Sequence, residues 1–482
     1  MKNILIKTLL LSGVYLGMAT SSFAQLEEPP HTILVNGTAS EITTILQKYI
    51  SIPSISGQEQ EAGLFLQMIC EENGLHITRM GQTNGNFNFA ASIYPLESNL
   101  PNIVFLNHID VVPAGDTLVW DYPAFSGALV DQEIWGRGAF DNKGVAVTQL
   151  FAVLDFAERY AKGILPFNVT FLAVSCEETQ CSGGVEYVVA NYLDQLHAEV
   201  VLGEGPSGLT GIVSHNSELP VFGISVAHKR SLWLRLDLSV EGVRHGSVTP
   251  LRYAGREMVE ALERLLSKRR HVVYTKLNTD VLRQLGGLEK GIKAVALKHP
   301  RFFRPLLVPQ LRKQPELLAI FTNTATLTRL ESGENPINAI PSNVTAWLDC
   351  RLLPHTDQEV FIQDLAHRLN HPDIKISIEL AMPEQQISDH QSPYFQYLAS
   401  AIKTQYEEAE VVHMLVPYAN DSGVFRHQGI TAYSSVPTLI DRKYLETVHG
   451  HNERIPVVML AKTKATYVRF LENCAHDFDE HK

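Results

Sequence analysis

Cysteine is scarce in this chain: five residues in 482 (Cys70, Cys176, Cys181, Cys350 and Cys474), too few and odd in number for a disulfide scaffold. Cys176 and Cys181 could close a small loop, but buried thiols are the preferred reading. Positive charge is also short. With 40 Lys and Arg against 52 Asp and Glu, the formal net charge is −12, which argues against nucleic acid as a partner because phosphate binding needs a basic surface. No apolar run beyond the N-terminus is long enough for a membrane helix, and there is no internal repeat or low-complexity tract. What remains is an ordinary globular composition at a length where single cores stop growing, so two domains are expected.

At the N-terminus, Lys2 and Lys7 accompany an apolar run from Thr8 to Ala19, followed by Ser22-Phe23-Ala24. This is the pattern of a cleavable secretory signal over 1–24, with Gln25 the first mature residue. It predicts an exported protein, secreted or periplasmic.

From about Ser40 onward the chain alternates strands and helices. Asn102 to Leu106, Asn168 to Ser175 and the shorter Val200 to Leu202 are continuous apolar strands, and Gly144 to Tyr160 carries an apolar helical face. Such strands separated by helices predict an α/β fold, a mostly parallel sheet with helices on both faces. The pattern then changes. Leu232, Leu234, Leu236, Leu238 and Val240 alternate with Trp233, Arg235, Asp237 and Ser239, and Val344 to Leu352 alternates in the same way, as in an antiparallel sheet wet on one face. The expected organisation is therefore a larger α/β domain over 25–217 and 386–482, interrupted by a smaller α+β domain over 218–385. Inside that insert, residues 268–313 hold twelve Lys or Arg and only Asp280 and Glu289 as acids. They read as a solvated helical face or as a surface for anionic lipid or an amphiphilic substrate, given the nearby Phe302, Phe303, Leu306 and Leu307.

Chemistry-bearing residues collect at the ends of the apolar strands. His108-Ile109-Asp110 follows the first, at the sheet edge where open α/β folds place ligands. An imidazole there can bind a metal while an acid two residues on fixes its orientation. Asp141 ends a glycine-rich turn from Gly136 just before a helix; it is a helix N-cap or a carboxylate offered to two metals. Glu177 and Glu178 follow Phe167 to Ser175, where adjacent acids are costly unless a positive group compensates them. Glu204 follows the third strand between Gly203 and Gly205, and His449 lies in the loop Val448 to Glu453. Two histidines and three carboxylates suit two divalent ions sharing Asp141, with zinc, cobalt or manganese all accepting such donors.

The order His-x-Asp, Gly-Arg-Gly-x-x-Asp-x-Lys-Gly, Glu-Glu, Glu and His-Gly-x-Asn-Glu resembles the two-zinc metallopeptidases that include aminoacylase, glutamate carboxypeptidase and succinyl-diaminopimelate desuccinylase. Within them it is most similar to the carboxypeptidase S and N-fatty-acyl-amino-acid hydrolase branch, through the long segment before Thr322-Asn323-Thr324 and the Asn-Ala-Ile-Pro motif at 338–341. The resemblance implies one metal on His108, Asp141 and Glu204, the other on Asp141, Glu178 and His449, Asp110 as the residue orienting His108, and Glu177 as general base. It implies that the smaller domain is a dimerisation lid whose His245 reaches the partner's active site, with Asn338 and Arg351 holding the substrate's carbonyl and carboxylate. The expected reaction is hydrolysis of a peptide or N-acyl amino acid next to a free carboxylate. A dipeptidase of the same chemistry and a non-catalytic metal-containing binding protein are the alternatives. One departure stands out: Asn420-Asp421-Ser422-Gly423 has glycine where the family usually has arginine, and Arg426 is a candidate replacement.

Overall fold

The computed structural model describes residues 31–81, 86–160, 165–241, 244–333 and 336–480; the expected signal segment 1–24 lies outside them. Among the described residues a nine-stranded mixed sheet forms the centre of the molecule. Its middle is parallel, in the order Asn168–Val174, Asn102–His108, Ala198–Gly203 and Thr431–Ser434. Antiparallel strands flank it, Phe89–Ser92 and His76–Arg79 on one side and Val221–His228 with Gly208–Leu209 on the other.

The continuous apolar runs are explained by the two faces they serve. Ile103, Phe105, Phe171 and Leu202 point to one face, into the core with Leu150, Val153, Phe470 and Leu471 of the helices Lys143–Tyr160 and Val457–Glu480. Val104, Leu106, Leu172 and Val201 point to the other, against Val185, Val188 and Leu196 of the helix Val185–Leu196 and Val424 and Phe425 of Ser422–His427. Successive side chains alternate between faces, so a strand covered on both must be apolar throughout.

The four-stranded sheet has the order Thr324–Glu331, Asn343–Leu352, Arg230–Ser239, Lys375–Ala381 and is antiparallel. Leu232, Leu234, Leu236 and Leu238 sit opposite Cys350, Leu348, Ala346 and Val344. They pack under the helices Ala254–Leu266 and Gln358–Leu369 through Met258, Leu262, Leu365 and Leu369. The other face is wet, and there Arg329 stacks over Trp347 at 4.6 Å.

Two segments expected in the insert belong to the main body. The strand Val221–His228 lies in the large sheet, paired in parallel with Glu410–Val416. The helices of 268–321 also leave the small sheet: Leu277, Val281, Leu282, Leu311 and Phe321 join the large core. The helix Lys276–Leu288 covers Glu410–Val416, where Gln284 donates to the His413 carbonyl (3.0 Å) and accepts from its amide (3.0 Å). A side-chain amide thus supplies the backbone partner that a further strand would have given that edge.

Candidate active site

The ligand candidates converge because parallel strands end on the same side of a sheet. His108 is the last residue of its strand, Glu177 and Glu178 come after Asn168–Val174, and Glu204 directly follows Ala198–Gly203. Asp141 arrives from the turn before Lys143–Tyr160, its peptide to Asn142 being cis, and His449 from the loop before Arg454–Pro456. His108 Nε2 is 3.2 Å from Asp141 Oδ1 and 3.3 Å from Glu204 Oε2. His449 Nε2 is 3.2 Å from Asp141 Oδ2 and 3.1 Å from Glu178 Oε2. Each triad offers three donor atoms within 4.8 Å of one another, and Asp141 gives one oxygen to each.

These residues fit a pair of cations on three counts. His108 Nδ1 lies 2.9 Å from the Asp110 carbonyl oxygen, which can only accept. In the neutral ring Nε2 therefore carries a lone pair, and it faces two carboxylate oxygens, an arrangement that a positive charge between them reconciles. Acids also crowd the site. Asp110, Asp141, Glu177, Glu178, Glu204 and Asp421 meet two imidazoles, and among the described residues no lysine or arginine is ion-paired to them. Finally, Glu178 Oε1 and Asp421 Oδ2 are buried without a hydrogen-bond partner.

The electrostatics follow from that crowding. Burial, then the charges of Glu204, Asp421 and Glu178, push the Glu177 carboxyl well above its usual range, with His108 opposing. Burial and Asp141 raise Glu204 to about 7. Burial pulls Asp141 upward too, but hydrogen bonds from His108 and His449 outweigh it and hold the group below the ordinary carboxylate range. His449 is raised to about 10 by its bonds to Asp141 and Glu178.

Asp110 serves mainly the loop that carries the glutamates. Its Oδ1 accepts the Glu177 amide (3.0 Å), and Oδ2 accepts the Glu178 amide (3.2 Å) and the Ser56 hydroxyl (2.7 Å). The His108 ring is oriented by the Asp110 main-chain oxygen, with the carboxylate Oδ1 at 3.5 Å. Across the same loop, Cys176 and Cys181 form a disulfide, contrary to the expectation of free thiols. The turn explains it: Cys181 donates to the Cys176 carbonyl (3.3 Å) and Gln180 to that of Glu177 (3.0 Å), bringing the two Cα atoms to 5.7 Å, within bridging range. Cys70, Cys350 and Cys474 are buried thiols.

The substrate-side candidates belong to neither triad. His245 and Asn338 are exposed neighbours, with Asn338 Nδ2 3.3 Å from His245 Nε2 and Ser247 Oγ 2.7 Å from His245 Nδ1. Arg351 is on the small sheet, donating to Asp349 (2.9 Å) and Ser231 (2.7 Å). Arg426 does not replace the missing arginine. It is buried, donating to Gln385 (2.8 Å) and the Ala432 carbonyl (2.9 Å), so it faces the interior. Gly423 has a local cause: a Cβ there would lie 2.0 Å from His228 Nε2. The buried His228 occupies the room that a side chain at 423 would need.

One organising residue was missed by the sequence reading. Buried Glu453 accepts the amides of Gly138 (2.9 Å), Phe140 (2.9 Å) and Asp141 (3.0 Å) and the Arg137 guanidinium (2.7 Å). Arg137 also reaches the Gly450 carbonyl (2.7 Å). The loop of Asp141 and the loop of His449 are thereby one unit. The signal was present as an arginine in one motif and an acid in the other.

A model of the M20/M25/M40 peptidase family matches residues 104–473. A probable carboxypeptidase S-like 2 of Dictyostelium discoideum is 24% identical over 80% of this chain and 74% of its own. The N-fatty-acyl-amino acid synthase/hydrolase PM20D1 of Xenopus tropicalis is 23% identical over 92% and 88%. In fold, the M20 family metallo-carboxypeptidase Sso-CP2 from Sulfolobus solfataricus superposes with a TM-score of 0.69 at 20% identity, over 91% of this chain and all of that one. With the ordered site residues inside the matched span, the chain belongs to peptidase family M20/M25/M40.

Proposed function

We propose that this protein hydrolyses an amide bond next to a free carboxylate, releasing an amino acid from an N-acyl amino acid or a short peptide. The carrying observation is Asp141 meeting His108 through one oxygen and His449 through the other. His108, Asp141 and Glu204 would hold one divalent cation, and Asp141, Glu178 and His449 the second; mixed nitrogen and oxygen donors suit zinc, with cobalt or manganese as alternatives. Bound there, the ions would polarise the substrate carbonyl and acidify a water.

The chain's own groups do the rest. Glu177 takes a proton from the attacking water and returns it to the amine nitrogen as the C–N bond breaks. Its raised affinity for a proton suits both halves of that transfer. His245, delivered by a second copy of the chain, donates to the carbonyl oxygen as charge develops. Its exposure beside Asn338 supports that role. Asn338 holds the carbonyl, and the planar Arg351 guanidinium takes the substrate carboxylate by paired hydrogen bonds. The lid in this reading is the four-stranded sheet with its two helices, which also carries the dimer contact.

Among the described residues no helix is long and apolar enough to cross a membrane. The leader-like N-terminus and the Cys176–Cys181 disulfide support an oxidising location, secreted or periplasmic. The relatives' names favour acyl amino acids and C-terminal residues as substrates. A screen of N-acetyl, N-lauroyl and glycyl forms of one hydrophobic amino acid, with added zinc, cobalt or manganese, tests the proposal. Preference for the acyl amides establishes an aminoacylase and preference for the glycyl peptide a peptidase. No turnover with both metals bound contradicts the reading and leaves a binding protein.

A further inference from the structure

The helical layer of 268–313 is firmly fixed underneath and bare on top. Its inner side chains join the large core, Asn278 donates to the carbonyls of Val273 (2.9 Å) and Ile320 (3.0 Å), and Arg301 and Arg304 donate to those of Tyr274 and Val272 (both 3.3 Å). On the outer side, Ile292 is 80% and Phe302 81% exposed, with Val295 and Leu306 also exposed. Phe302 is the only exposed phenylalanine among the described residues. Ile292 and Val295 share a face of the helix Gly291–Lys298, a spacing that puts the pair on one side; Leu306 lies in the first turn of Arg304–Leu311, and Phe302 stands in the turn just before that helix.

Basic side chains accompany these exposed apolar ones in the same segment. Within the segment, Arg283 pairs with Asp280 and Lys293 with Glu289. Lys276, Lys290, Lys298 and Arg312 are exposed, and among the described residues no carboxylate is ion-paired to them; Arg301 and Arg304 are exposed as well, though their guanidinium groups are engaged by the Tyr274 and Val272 carbonyls. In a chain of net charge −12, such a concentration of unneutralised cations beside protruding aromatic and aliphatic side chains needs a partner that is both anionic and apolar. A soluble polyanion satisfies the cations and leaves Phe302 and Ile292 in water. An anionic bilayer satisfies both, because lysine and arginine meet headgroups while the apolar side chains enter the acyl boundary.

We propose that the face formed by Gly291–Lys298 and Phe302–Leu306 docks the protein peripherally on anionic lipid membranes. The catalytic body, to which this layer is fixed, then works at the membrane surface. This inference is independent of the catalytic reading and does not fail with it.

The test is co-sedimentation of the full chain with phosphatidylcholine vesicles, with and without phosphatidylglycerol, at low and high salt. Binding is expected only where phosphatidylglycerol is present, and to weaken as salt rises. The pair Ile292→Asp and Phe302→Asp should weaken it by roughly tenfold or more, and the charge reversals Lys290→Glu and Lys298→Glu should do the same. All four substitutions are on the surface, so the melting temperature and any turnover of a soluble substrate should stay at wild-type values. Absence of binding at low salt, equal binding to neutral vesicles, or binding unaffected by the aspartates overturns the proposal. A dimer that the aspartates abolish, in place of vesicle binding, assigns the face to a second copy. Heparin binding as tight as vesicle binding and insensitive to Phe302→Asp assigns it to a soluble polyanion; either result also overturns the proposal.

Discussion

At the scale of single residues, the site depends on groups that never touch substrate. Glu453 is the clearest. Three amides and a guanidinium converge on its carboxylate, and all of them expect an acceptor. Glu453→Gln puts a donor among those donors and loosens the turn that presents Asp141. Metal affinity, read by titration of the metal-free protein, should fall by roughly 10- to 100-fold, although Glu453 is in neither triad; unchanged affinity would show that the turn holds itself. The Cys176–Cys181 disulfide acts on the other side. It closes the loop whose Glu177 and Glu178 amides are bound by Asp110, so adjacent acids that repel are held in place. Replacing both cysteines by serine should lower kcat more than it raises KM, because the proposed base, Glu177, is displaced while the proposed substrate contacts Arg351 and Asn338 are untouched; steady-state kinetics separates the two.

Among the elements, Gly423 and His228 show how a strand dictates a neighbouring helix. His228 ends Val221–His228, and the helix Ser422–His427 crosses it closely enough that no Cβ fits. Gly423→Ala should cost about 1–3 kcal/mol by denaturant unfolding. The loss should shrink in a His228→Ala background, the coupling expected of side chains sharing one space. This contact explains a departure that the sequence could only register. Other elements divide in the same way between legible and hidden. The strand ending at His108 and the strand before Glu177 were legible because burial on both faces forces unbroken apolar runs. Arg230–Ser239 was legible because one wet face forces alternation. Hidden were the sheet to which Val221–His228 belongs and the core on which Lys276–Leu288 packs, since an apolar stripe states that it is covered but not by what. The metal-ligand candidates were readable for a topological reason: chemistry at the carboxyl ends of parallel strands converges wherever the sheet is parallel. The disulfide and the Glu453 network depend on approaches between loops, which no local pattern encodes.

For the whole molecule, the proposed mechanism requires two chains per working site. If His245 acts in the partner's site, Glu177→Ala and His245→Ala variants are each nearly inactive. Mixed under conditions that exchange subunits, they should recover about a quarter of wild-type activity, because half of the dimers are mixed and each mixed dimer holds one intact site. Recovery no greater than the sum of the separate variants would place His245 in its own chain's site or outside catalysis.

The central claim is that Glu177 moves the proton while other side chains hold the ions. Glu177→Ala, assayed for turnover of the best substrate in the screen and for metal bound per chain, tests it most directly. The account predicts turnover reduced by about 10²- to 10⁴-fold with two ions still bound. Turnover near the wild-type rate, or loss of a metal along with the activity, would contradict it.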